Sequence, residues 1–293
     1  MTTLIYRDFD QAGLDRAYNN RQAVPDFQTR YVERWAAESA KVRASAAAVR
    51  LDLAYGPSQR QRLDVFAPAG PVPDGGWPGL LYFHGGYWQG NHKDGYSFPA
   101  PVVTGSGALY IAATYDLCPD VSMSTLVEQT REAVRWLHGH AGEFGLDPQR
   151  LVVAGHSAGG HIAASLAHTD WSARGLPAAA LAGAVPVSGL FDLEPTRLSY
   201  LNAACRMDAT EAALLSPLRH IRREAPPMVL TVGAAELPEL VRQTRDYAAA
   251  LRHAGAPLLA VVECPGDNHF SIVDRVFDPA GPVWPHIRSL LGV

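Results

Sequence analysis

Lysine is nearly missing from this chain: 23 of its 25 basic residues are arginine, and they are scattered rather than gathered in blocks. Set against 29 acidic residues they leave a net charge of −4, which excludes the basic stripe that nucleic acid or an anionic membrane would call for. Cysteine is scarce too. Cys118, Cys205 and Cys264 are odd in number and have no CxxC spacing, so a disulfide framework or zinc cluster is not expected, and a reducing, cytoplasmic setting is. Long apolar runs are absent. The longest, LPAAALAGAVPVSGL (176–190), contains two prolines and two glycines and is too short to span a bilayer. The opening MTTLIYRDFDQAG has early acids and no apolar core of signal-peptide length. Repeats, low-complexity tracts and long linkers are also lacking. What remains is ordinary for a soluble globular enzyme: 47% hydrophobic and 18% charged residues over 293 positions, enough for one large domain or two small ones.

Two regions differ in pattern. Residues 26–49 place Phe27, Tyr31, Trp35 and Val42 near helical spacing, with Asp26 as an N-cap after Pro25; residues 1–49 are therefore read as an N-terminal helical cap segment. From residue 50 to 293, short β-rich runs alternate with helical ones. Strands are expected at 49–55, 61–68, 79–85, 108–115, 150–155, 181–189, 227–233 and 257–264. The first two alternate apolar and polar, as half-exposed antiparallel strands do; the later ones are almost continuously apolar, as strands covered on both faces must be. Helices are expected at 124–144, 158–169, 237–255 and 282–292. That order predicts an α/β fold: a mostly parallel, eight-stranded sheet with helices on both faces. Residues 190–226 interrupt the alternation and read as a helical insertion over the mouth of the sheet.

The chemistry begins at VVAGHSAGGH (152–161), where a serine stands between glycines after a strand and before a helix. In such a turn the serine is strained and exposed, and side chains two residues to either side would strike the neighbouring strand and helix. Gly155 and Gly159 remove them. A helix starting at Ala158 would offer free N–H groups beside Ser157. A serine nucleophile needs a base, and this architecture places an acid and then a histidine later in the chain. His269, in CPGDNHFSIV after the last strand, is the candidate base; His138, His140, His220 and His253 lie on or near helices or in the irregular segment. Glu236 is the first carboxylate after the strand PMVLTVG and is the favoured acid, with Glu239, Asp267 and Asp192 as alternatives. His84-Gly85-Gly86-Tyr87-Trp88 ends the third strand, where adjacent glycines let a loop turn N–H groups toward one point. No HExxH-like spacing suggests a metal, and His156 and His161, five apart around the elbow, read as turn and helix residues. No cofactor is implied.

Together these residues resemble the α/β-hydrolase fold, specifically the hormone-sensitive-lipase-like esterases and their relatives the serine kynurenine formamidases (arylformamidases). The resemblance covers residues 50–293 and rests on HGGYW (84–88), where ordinary esterases of the group carry HGGG, on TYDLCPD (114–120) and on GHSAGGH (155–161). VGAAELPELVRQTRDYA (232–248) is similar to the segment bearing the family's acid, but Glu236 stands where aspartate is usual, and the extra methylene moves the carboxylate outward. The resemblance implies Ser157, Glu236 and His269 as catalytic residues and the N–H groups of Gly86, Tyr87 and Ala158 as an oxyanion hole. It implies Gly85 as a loop-shaping residue at the substrate, Tyr87 and Trp88 lining an acyl or leaving-group pocket, and His84 bracing the loop. The reaction it implies passes through an acyl-enzyme formed from a small-molecule amide or ester. An arylformamidase and a broader carboxylesterase both fit; a non-catalytic hydrolase-fold binding protein does not account for the complete set.

Overall fold

Strands form where the apolar runs are. The computed structural model, which describes residues 3–46 and 48–293, contains β1 (Val49–Ala54), β2 (Arg62–Phe66), β3 (Trp77–Phe83), β4 (Leu109–Ala113), β5 (Leu146–His156), β6 (Gly183–Val187), β7 (Met228–Gly233) and β8 (Leu258–Cys264). They make one eight-stranded sheet in the order β1-β2-β4-β3-β5-β6-β7-β8. The β1–β2 and β2–β4 pairs are antiparallel; every pair from β4 to β8 is parallel. Every residue of β3, β4, β6 and β7 is buried, as strands covered on both faces require.

Alternate side chains feed two cores. One face of the sheet presents Leu81, Phe83, Ile111, Val153 and Leu230, and the other presents Leu80, Tyr82, Tyr110, Val152 and Val229. Helices cover both. Chain order gives α1 (Gln11–Ala17), α2 (Asn20–Ala23), α3 (Glu33–Ser45), α4 (Ala100–Gly105), α5 (Met123–Gly139), α6 (Ala141–Phe144) and α7 (Ala158–Ala167). There follow α8 (Glu194–Leu198), α9 (Asn202–Cys205), α10 (Ala209–Leu214), α11 (Pro238–Ala254), α12 (Ser271–Val276) and α13 (Trp284–Leu291). Helices α5, α7 and α11 pack on the first face, and α3, α4, α12 and α13 on the second. The short helices α8 to α10 form the insertion that broke the sequence alternation. Among the described residues no helix is long and apolar enough to cross a membrane.

Two expectations need correction. Strand β2 is not half-exposed: Leu63 to Phe66 are all buried, because the N-terminal segment covers its polar side. There Asp64, with no exposure, accepts from Lys93 Nζ at 2.8 Å and from Arg43 of α3. Asp26 does not cap the N-terminal helix with its carboxylate, which lies 3.5 Å from Arg30 instead. The chain there winds as a π-type turn over Gln28–Val32 before α3 begins. Helix α3 is fixed by Ser39, whose buried hydroxyl accepts from the N–H groups of Ser97 and Phe98 at 2.9 and 3.0 Å. Trp35 is held by its Nε1–H on Asp274 Oδ1 at 2.7 Å.

Candidate active site

Between β5 and α7 the backbone makes one abrupt turn, and Ser157 occupies it at φ 58° and ψ −116°. A side chain rarely tolerates positive φ, so neighbouring contacts must hold it there. The Ser157 N–H donates to Val187 O at 2.8 Å, and its carbonyl accepts from the His161 N–H at 3.0 Å. The flanking glycines are obligatory. A Cβ on Gly155 would lie 2.3 Å from Gly159 O, and one on Gly159 would lie 2.0 Å from Phe83 O.

His269, in the loop after β8, reaches back over the sheet. Its Nε2 is 3.0 Å from Ser157 Oγ, and its Nδ1 is 2.6 Å from Glu236 Oε2. A carboxylate can only accept, so Nδ1 carries the proton and Nε2 is free to accept from the serine hydroxyl. The other carboxylates weighed as acid are occupied elsewhere. Asp267 binds Arg275 and Ser271 and shapes the loop, Glu239 binds Arg242 and the Tyr18 hydroxyl, and Asp192 accepts from the Tyr6 hydroxyl and the Glu194 N–H. The extra methylene of Glu236 is taken up by a second anchor. Oε1 accepts from the Gly233 N–H at 2.7 Å and from Ser188 Oγ at 2.5 Å, and the side chain has no exposure. Gly233 has no Cβ; one there would lie 2.2 Å from Asp267 O and 3.2 Å from Glu236 Cγ.

The loop after β3 approaches the serine from the other side. A Cβ on Gly85 would meet His156 O at 2.9 Å and Ser157 Cβ at 3.1 Å, so only glycine brings the loop this close. Gly86, Tyr87 and Trp88 follow at φ 115°, 49° and 58°. His84 braces the loop: Nδ1–H donates to Gly85 O at 2.9 Å, and Nε2 accepts from Thr114 Oγ1 at 2.9 Å. Complete burial pushes its pKa down to about 3, so it stays neutral. Among the described residues the N–H groups of Gly86, Tyr87 and Ala158 donate to no protein acceptor.

A cavity of about 90 Å³ opens at Ser157 and His269. Gly85, Gly86 and Tyr87 form one side; Phe27, Trp35, Tyr96 and Phe270 supply aromatic walls; Asn20, Arg21, Gln28, Val32, Asn91 and His156 complete it. Trp88 is not among them. Expected at the pocket wall, it is fully buried in the core and packs edge-on against His161 at 5.1 Å. Its backbone turn points the largest side chain of the loop inward, where burial gains most. Tyr87 does line the cavity, but its hydroxyl is tied to the N-terminal segment, donating to Tyr18 O at 2.7 Å and accepting from Asn20 Nδ2 at 2.9 Å.

The pattern of the alpha/beta hydrolase fold family matches residues 80–272, a span holding the serine, the acid, the histidine and the glycine loop. The chain belongs to the alpha/beta hydrolase family. Its relatives include the kynurenine formamidase of Danio rerio, 32% identical over 233 residues, with 78% of this chain and 77% of the relative covered. The crystal structure of a candidate thioesterase from Silicibacter sp. TM1040 superposes with a TM-score of 0.79 at 30% identity, covering 96% of this chain and 99% of that one. The thermophilic carboxylesterase EstE1, from a metagenomic library, shares the fold at a TM-score of 0.73 and 22% identity, covering 91% and 97%.

Within this alpha/beta hydrolase, the outer half of the cavity escaped sequence reasoning. Asn20, Arg21, Phe27 and Gln28 come from the N-terminal segment, which precedes the family match, and nothing local in YNNRQAVPDFQ signals a pocket wall. Ser188 was findable: it directly follows β6, at the same end of the sheet where the elbow follows β5. His156, adjacent to the serine, faces His269 at a ring separation of 4.5 Å; burial holds its pKa well below the ordinary histidine value.

Proposed function

We propose that this serine hydrolase removes a small acyl group, a formyl above all, from an aryl amide: an arylformamidase converting N-formyl-L-kynurenine to L-kynurenine and formate in tryptophan breakdown. One observation carries the reading. An unbroken chain of hydrogen bonds from Ser157 through His269 to Glu236 ends at an aromatic-walled cavity of about 90 Å³, far smaller than the roughly 300–1,000 Å³ of pockets that enclose drug-sized ligands. Such a space suits a formyl or acetyl group at the serine, with an aryl leaving group extending along Phe27 and Phe270. The kynurenine formamidase relatives agree with that division. Among the described residues Arg21 is the one arginine or lysine on the wall, and it supplies a counter-charge for an amino-acid carboxylate. Residues 1–49 then act as a cap that completes the substrate site. Three buried free cysteines suit a reducing cytoplasm.

The geometry supports the following roles. His269 Nε2 takes the Ser157 proton as Oγ attacks the carbonyl carbon, and the C=O electron pair moves onto oxygen. The N–H groups of Gly86, Tyr87 and Ala158 receive that oxyanion. Glu236 keeps the imidazole in the required tautomer and stabilises its cation. When the C–N bond breaks, His269 returns the proton to the departing aryl amine, which is less basic than an alkyl amine. Water then gives a proton to His269 and its oxygen to the acyl carbon; as the bond from that carbon to Ser157 Oγ breaks, His269 passes the proton to Oγ and formate leaves.

The test is kcat/KM for N-formyl-L-kynurenine beside short p-nitrophenyl esters, with Ser157→Ala on the same preparation. The reading expects a formamide value of roughly 10⁴ M⁻¹s⁻¹ or above, lost in the variant. Ester turnover with negligible formamide turnover would make the protein a carboxylesterase, and activity surviving Ser157→Ala would remove the serine from the mechanism.

A further inference from the structure

Asn20 is 3% exposed and lies on the wall of the cavity that contains Ser157. Its Nδ2 is 2.9 Å from the Tyr87 hydroxyl, and that hydroxyl is 2.7 Å from the Tyr18 carbonyl. A phenol has one proton and a carbonyl can only accept. Tyr87 therefore donates to Tyr18 and accepts from Asn20. This settles which way the amide points: its NH₂ end is on Tyr87, and Oδ1 is left over. Oδ1 is buried and has no hydrogen-bond partner among the described residues. Buried acceptors without donors are rare in folded proteins, and this one belongs to a residue of the cavity wall.

We propose that Asn20 determines specificity: its Oδ1 accepts a hydrogen bond from an N–H of the substrate's leaving amine, so the pocket favours N-acyl aryl amines over aryl esters of the same shape. The proposal deepens the small-acyl hydrolase reading above and rests on it. An ester carries oxygen where the amide carries N–H, which would leave Oδ1 unpaired and place another acceptor nearby. Sites built around a buried polar group reject analogues that cannot bond it, because the group then stays desolvated and unsatisfied. His156, another wall residue, also has a buried atom, Nε2, with no partner among the described residues. An imidazole nitrogen can present either a proton or a lone pair, whereas a neighbour fixes the role of Asn20.

The test compares kcat/KM for formanilide and phenyl formate, which differ only in N–H against O, in the wild type, Asn20→Ala, Asn20→Asp and Tyr87→Phe. The amide-to-ester ratio is expected to fall about tenfold in Asn20→Ala, the worth of one hydrogen bond. It should stay near the wild-type value in Asn20→Asp, which keeps an acceptor, and in Tyr87→Phe, which perturbs the loop for both substrates alike. A fall with formanilide assigns the bond to the scissile N–H; a fall seen only with N-formyl-L-kynurenine would place the bond on the ammonium of that substrate and overturn the preference for amide over ester. If Asn20→Ala lowers amide and ester in the same proportion, as Tyr87→Phe does, Asn20 acts only by holding Tyr87 and the proposal fails while the formamidase reading stands. A wild type that hydrolyses phenyl formate but not formanilide or N-formyl-L-kynurenine would remove both.

Discussion

At the scale of single residues, Glu236 shows how a longer acid occupies a place where the family usually has aspartate. Its carboxylate is fixed at both oxygens, one on His269 and the other on Ser188 and Gly233. The second anchor turns a flexible side chain into a fixed one. Replacing the acid by Glu236→Gln keeps the shape but destroys the tautomer preference of His269, and kcat should fall by roughly 10³–10⁴. Ser188→Ala is the finer probe. It removes a hydrogen bond to a charged group, of a kind contributing about 1.5–3 kcal/mol. The loss should appear as a fall of about tenfold in kcat with KM nearly unchanged, because Ser188 is not among the residues that line the cavity. Steady-state kinetics on p-nitrophenyl acetate measure both; a Ser188→Ala kcat within twofold of the wild type would mean that Gly233 alone suffices.

At the scale of elements, legibility followed how local the determining forces are. Strands such as β3 and β7 were readable because they are buried on both faces, which leaves an uninterrupted apolar run. The elbow was readable because Gly155 and Gly159 answer to collisions with backbone only a strand or a helical turn away. Trp88 was not, since successive positive-φ residues decide whether it faces cavity or core, and sequence periodicity is silent about that. The walls from Asn20 to Gln28 were hidden for a different reason: the segment that carries them is held by the contacts of α3 with Ser97 and Asp274, which are far away in sequence. Two of the glycines offer a contrast that can be measured. Gly159→Ala forces a Cβ to within 2.0 Å of Phe83 O and should destabilise the protein by about 3 kcal/mol or more. Gly142→Ala, in α6, meets nothing within 4 Å and should be neutral or stabilising by up to about 1 kcal/mol. Urea melts of the two variants decide it, and equal midpoints would show that the elbow backbone can shift to make room.

At the scale of the whole molecule, buried imidazoles make stability depend on pH. His84, His161 and His168 have pKa values held by burial near 3, 4 and 4, against about 6.5 when unfolded. His156 is displaced in the same direction. Between pH 4 and 6.5 the unfolded chain therefore takes up protons that the folded chain refuses, and stability must fall as pH drops through 6.5. By pH 5 each of the three groups has removed about 2 kcal/mol, a large share of the roughly 5–15 kcal/mol that holds a typical domain folded. The melting temperature should thus decline steadily from pH 7.5 to pH 5, with about three protons taken up per molecule unfolding at pH 5.5. Scanning calorimetry in buffers of different ionisation enthalpy gives both quantities. A melting temperature flat to pH 5 would mean these rings accept protons in place. The dependence has a structural source: the loop beside Ser157 is braced by a histidine that donates from Nδ1 and accepts at Nε2, and only the neutral ring can do both. Acid lability is thus the consequence of building the support of the site from neutral imidazole, and conditions that protonate His84 should dismantle the glycine loop along with the fold.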